Sequence, residues 1–134
     1  FLHSKDLPLY AGLEAQGRYF NIPVSQPGKV DIFLQDGYEI VLEGRSLLST
    51  IHSPGHTLGS CCFYTELFSS PLLFAGDTLF YRSIGRTDLP GGDFRTLIKS
   101  IKERLFKLPL STLVIPGHGK STSLVDEKQF NPYL

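Results

Sequence analysis

Three apolar runs in this chain each end in glycine and then present a side chain able to bind a metal ion. Leu47-Leu48 to Ile51 leads through Pro54-Gly55 to His56. Leu72-Leu73-Phe74-Ala75 leads through Gly76 to Asp77, and Leu113-Val114-Ile115 leads through Pro116-Gly117 to His118. Short apolar runs bounded by turn residues read as buried strands. Glycine lets the backbone turn sharply and approach a neighbouring group closely. Imidazole nitrogen and carboxylate oxygen are the donors that a hydrolytic metal site uses. The expectation is that three strand ends converge on one side of a sheet layer and hold metal through His56, Asp77 and His118.

Each residue has a plainer reading beside that one. A histidine in a loop can be merely solvated, and Asp77 could cap the loop that follows it. The repeated strand-glycine unit favours the ligand role for both histidines. An unpaired carboxylate at the end of an apolar strand is costly, and a cation removes that cost. His52 precedes the Pro-Gly break and reads as a strand residue. His3 sits among His3-Ser4-Lys5-Asp6, where capping is expected. Arg86-Thr87-Asp88 serves equally as a local ion pair and turn or as a substrate-facing group. Thr57 and Ser60 are placed to hold the His56 loop by hydrogen bonds.

Along the chain, Phe1-Leu2 closes a strand, and a helix with Pro8 in its first turn runs to about Leu13. Asn21 to Lys29 is a loop, and Val30 to Leu34 a short strand. Asp36-Gly37 is a hairpin signal with Tyr38 to Leu42 beside it, and Glu43-Gly44 turns into Leu47 to His52. Ser60 to Thr65 is rich in β-formers, and Leu72 to Ala75 is a fully apolar strand. Leu79 to Gly92 reads as a long ordered loop. Asp93 caps a helix whose Phe94, Leu97, Ile98, Ile101 and Leu105 share one face, which should cover a sheet. After Leu113 to Ile115 the tail to Leu134 reads as short and polar.

With 41% apolar and 19% charged residues the chain suits a folded soluble domain rather than a disordered one. Its 134 residues fit a single domain, 1–134. Thirteen basic and thirteen acidic residues leave no net charge, so nothing points to nucleic acid or an anionic membrane as a partner. No apolar run is long enough to span a bilayer. Cys61 and Cys62 are adjacent, which rules out a loop-closing disulfide between them; on a strand they point to opposite faces. They read as small buried hydrophobes in a reducing, cytoplasmic compartment. The sequence holds no methionine, even at position 1. It opens on Phe1-Leu2-His3 like a strand entering a helix, and the expectation is that an N-terminal portion precedes it.

The stretches Ser53-Pro-Gly-His-Thr-Leu-Gly-Ser60, Phe74-Ala-Gly-Asp-Thr-Leu-Phe80, Gly85-Arg-Thr-Asp-Leu-Pro-Gly-Gly-Asp93, Ile115-Pro-Gly-His-Gly119 and Phe130-Asn-Pro-Tyr-Leu134 together resemble the metallo-β-lactamase superfamily. The branch they most resemble is that of hydroxyacylglutathione hydrolase (glyoxalase II). The resemblance implies an α+β fold, the αββα sandwich, here expected as its C-terminal half to two-thirds. It implies His56 and His118 as the last histidines of two metal sites and Asp77 as the bridging, catalytically essential carboxylate. The family's earlier His-x-His-x-Asp-His motif does not occur in this sequence and is expected upstream. Two zinc ions are implied, with iron or manganese as alternatives, and with them hydrolysis of a small thioester or ester by a metal-bound hydroxide. Little chain follows the last motif, so a single-domain hydrolase of the branch is expected. A single-iron persulfide dioxygenase is the alternative enzyme of the superfamily. A third expectation is that the 134 residues alone form an inert chain, short of ligands and prone to self-association through an open sheet face.

Overall fold

In a computed structural model that describes residues 1–134, the chain opens with β1 (Leu2–His3), a single 3₁₀ turn over Ser4–Asp6, and the helices α1 (Leu7–Ala11) and α2 (Leu13–Tyr19). His3 caps the turn by accepting from the Lys5 amide, as its position suggests. After a long connection, β2 (Phe33–Leu34) pairs in parallel with β1. The Asp36-Gly37 turn is therefore not a hairpin. It carries the chain from this small ribbon to the main sheet, where Gly37 N–H donates to Thr50 O. The hairpin is the next one: β3 (Glu39–Leu42) and β4 (Arg45–His52) pair antiparallel across Glu43-Gly44, both residues in left-handed conformation.

The sheet continues through β5 (Cys61–Thr65) and β6 (Leu72–Gly76). The stretch read as a loop after Asp77 contains its own hairpin, β7 (Leu79–Phe80) and β8 (Ser83–Ile84). Then come α3 (Phe94–Glu103), β9 (Leu113–Pro116), β10 (Thr122–Ser123) and α4 (Leu124–Phe130). The short polar tail thus holds a helix. Ser123 caps it through its hydroxyl, and the polar pattern hid it because its one inward apolar residue, Leu124, lies at the first position.

The six strands of the main sheet lie in the order β10-β9-β6-β5-β4-β3. Only the β6–β9 pair is parallel; β4–β5 and β5–β6 are antiparallel. Strands β4, β6 and β9 therefore run in one direction, and their C-terminal ends share one rim of the sheet. One face is covered by helices. Cys62, Leu73, Ala75 and Val114 from the strands meet Leu97, Ile101, Leu105 and Leu124, all without solvent exposure. Burying each of the leucines and isoleucines stabilises the fold by roughly 1.5–3 kcal/mol. The other face carries Phe63, Leu72, Phe74, Leu113 and Ile115 in register, with Phe74 and Leu113 exposed. The fold is a mixed α+β one with a single large β-layer and its helical cover. No helix is long and apolar enough to cross a membrane.

Candidate metal centre

The rim formed by β4, β6 and β9 brings His56, Asp77 and His118 together. They line one cavity of about 430 Å³. Asp77 lies between the two imidazoles: its Oδ2 is 3.8 Å from His56 Nε2, and its Oδ1 is 3.8 Å from His118 Nε2. The three side chains do not close into one three-ligand cluster. The carboxylate instead faces two imidazoles with two different oxygens.

Backbone constraints bear on the glycine at all three strand ends, Gly76 through its left-handed φ of +49°. Gly55 has φ +136°, and a Cβ there would lie 2.4 Å from the Leu97 backbone. The loop can rest directly on α3 only because that atom is missing. Ser100 Oγ donates to Pro54 O at 2.7 Å and Asp93 N–H to Gly55 O at 2.8 Å, fastening the loop to the helix. Gly117 N–H donates to Gly76 O at 2.8 Å, joining the ends of β9 and β6. A Cβ on Gly117 would stand 2.6 Å from Asp77 Oδ1 and push the carboxylate aside.

His56 Nδ1 lies 2.8 Å from the Arg86 carbonyl oxygen. A carbonyl only accepts, so Nδ1 carries a proton, and in the neutral ring this leaves the lone pair on Nε2, the nitrogen nearest Asp77. That is the tautomer a metal-ligating imidazole needs. His118, more exposed, packs its ring against Phe80 at 4.6 Å between centroids. Thr57 and Ser60 hold the His56 loop, Ser60 Oγ accepting from the Thr57 amide at 3.0 Å. Asp6, which the sequence suggests only as part of a cap, clamps the same loop. It accepts from Thr57 Oγ1 at 2.6 Å and from the Gly59 amide at 2.7 Å, and makes no cap bond to α1. No sequence pattern announces a contact across 51 residues.

Arg86 and Asp88 resolve into a local bidentate pair, both bonds 2.8 Å. The hydrogen bond from Arg86 pulls the Asp88 carboxyl down to about 2. Lys120, which lines the same cavity, and Arg82 in the β7–β8 turn form no ion pair. Lys120 Nζ stands 4.3 Å from the Tyr81 ring centre, and the Arg82 guanidinium 4.4 Å from that of Phe130. His52 stays in the strand as expected, its Nε2 2.9 Å from Leu58 O.

The donor set fits metal: two imidazoles, one of them fixed in the required tautomer, on either side of a carboxylate with both oxygens available. The sequence profile of the metallo-beta-lactamase superfamily matches residues 1–118. An uncharacterized protein of Mycobacterium leprae is 45% identical over 109 residues, covering 81% of this chain and 49% of the relative. The hydroxyacylglutathione hydrolase GloC of Haemophilus influenzae is 37% identical over 138 residues, covering 98% of this chain and 61% of the relative. Among solved structures, TTHA1623 in a di-iron-bound form superposes with a TM-score of 0.86 at 37% identity, covering 99% of this chain and 63% of that one. ETHE1 from Myxococcus xanthus does so with 0.65 at 31%, covering 90% and 55%. The chain spans about half the length of the first curated relatives it matches.

Proposed function

The chain belongs to the metallo-beta-lactamase superfamily, and from that premise we propose that it forms part of a metal-dependent hydrolase of a thioester or related ester. The observation that carries the reading is Asp77 with each carboxylate oxygen facing a different imidazole at 3.8 Å. The likeness to a hydroxyacylglutathione hydrolase supports the substrate class, and the likeness to a di-iron protein supports a two-ion centre, for which zinc is our proposal, with iron or manganese as alternatives.

His56, Asp77 and His118 would hold the ions, which when bound supply Lewis acidity toward a carbonyl and lower the pKa of water. The chain's own residues do the rest. Arg86 O keeps His56 in the ligating tautomer. Asp77 offers a negative charge beside both imidazoles. Phe80 and Ile84 give the cavity an apolar wall against which the carbon part of a substrate could rest. Lys120, which lines the cavity and forms no ion pair, suits an anionic arm on the substrate.

Asp77→Ala in the complete protein is expected to lose bound metal, read by elemental analysis, together with hydrolysis of an acyl-glutathione thioester. Retention of both would end the proposal. The 134 residues by themselves offer three donors, fewer than two ions need, so this stretch alone is expected to bind metal weakly and not to turn over. A second reading, a single-iron persulfide dioxygenase, has the likeness to ETHE1 in its support. Oxygen uptake with a persulfide, without thioester hydrolysis, would favour it.

A further inference from the structure

Glu127 in α4 is a carboxylate with no solvent exposure. A charge buried this way persists only when donors surround it. Its donors come from three separate segments. Arg82 N–H, in the β7–β8 turn, reaches Oε2 at 2.9 Å; Thr122 Oγ1, in β10, reaches Oε1 at 2.6 Å; and Asn131 Nδ2, just past α4, reaches Oε2 at 2.8 Å. Asn131 Nδ2 also donates to Ser83 O at 3.0 Å. The turn between β7 and β8 is thus bound to α4 on both sides. Arg82 itself has φ +56°, a left-handed conformation that a side chain with a Cβ adopts only when the surroundings hold it there.

The hairpin held from behind in this way touches all three candidate ligands on its other side. Phe80 packs on the His118 ring. Gly85, next to β8, lies so close to Asp77 that a Cβ would overlap its carbonyl oxygen at 1.8 Å, and the same atom would sit 3.4 Å from His56 Cβ. Arg86, one residue on, accepts from His56 Nδ1. One short segment thereby contacts the whole set.

We propose that Glu127 is a positioning residue for the metal centre. It fixes the β7–β8 hairpin, and through Phe80, Gly85 and the Arg86 carbonyl it sets the relative placement of His118, Asp77 and His56. The inference rests on the metal-site reading for its consequence but not for its geometry, and the test separates the two. The complete protein is compared with Glu127→Ala and Glu127→Gln. Glutamine keeps an acceptor for Arg82 N–H, and the Thr122 hydroxyl can turn to accept from its amide.

Without metal, Glu127→Ala is expected to speed hydrogen exchange at the Arg82 amide and to move the imidazole resonances of His56 and His118, while unfolding stays cooperative. Glu127→Gln is expected to match the wild type. With Zn²⁺ titrated in, the alanine variant should bind about tenfold more weakly, the magnitude typical of groups that orient metal ligands, and glutamine should restore affinity. A structural role alone would lower the melting temperature and leave the imidazole resonances where they were; that result, or an unchanged Arg82 amide, overturns the proposal. If the wild type takes up no Zn²⁺ although the resonances respond, the metal reading fails and the positioning stands. Should Glu127→Ala not fold, Asn131→Ala, which frees Ser83 O, is expected to move the same amide and imidazole signals, and their staying put overturns the proposal equally.

Discussion

His3 and His52 stack with ring centres 4.1 Å apart and planes 3° from parallel. Burial first, then the positive charges available to His52 and Lys5, hold the His3 pKa below its ordinary value near 6.5. The folded state therefore binds that proton less readily than the unfolded chain. The stability this contributes is present above about 6.5 and drains away as pH falls below it through the lower folded value. Asp6 also faces His3 and opposes the shift, and the Asp36–Arg104 pair lies beside His52. Melting temperature should thus fall more steeply from roughly pH 7 to pH 5 in the wild type than in His3→Phe, which keeps a ring in the stack but does not titrate. Parallel slopes would show that the stack carries no such linkage. The cysteines behave otherwise. Burial pushes the Cys61 thiol up to about 12 and raises Cys62 as well, so neither offers a thiolate at neutral pH.

Among the elements, α3 links packing to chemistry most directly. Its Leu97 and Ile101 lie in the core, its backbone supports Gly55, and Asp93 caps it by accepting from the Thr96 amide at 2.7 Å. Asp93→Ala should lose that cap bond and lower the melting temperature by a few degrees. Because the Asp93 amide also donates to Gly55 O through the backbone, which alanine retains, the His56 loop should stay in place. Unchanged metal binding with a lowered melting temperature checks this; a metal defect as large as the stability loss would contradict it. This helix is legible from its apolar spacing and its cap. The β7–β8 hairpin and α4 are not, because the hairpin strands are two residues long and each element sends one fully buried leucine, Leu79 or Leu124, into the core beside polar contacts such as Glu127, which makes no hydrophobic period.

For the whole molecule, the uncovered side of the sheet matters most. Phe63, Leu72, Phe74, Leu113 and Ile115 form an apolar field, and β3 stands at the sheet edge with Val41 and Leu42 exposed. Both features invite association. The isolated 134-residue chain is expected to gain mass with concentration in sedimentation and to bind an apolar dye, and Phe74→Lys to reduce both. A monomer that binds no dye would show the face to be adequately covered by the chain itself.

The strand-glycine-ligand units name the candidate residues from composition and order alone, because a strand's end, a flexible residue and a donor are all local properties. Their juxtaposition is not local. It depends on β5 running against β4 and β6 so that three donor-bearing strands end on one rim, and on Asp6, Arg86 and Glu127 reaching across the chain to hold them. Such contacts arise from the path of the backbone in space, for which hydrogen-bonding side chains far apart in sequence leave no periodic trace.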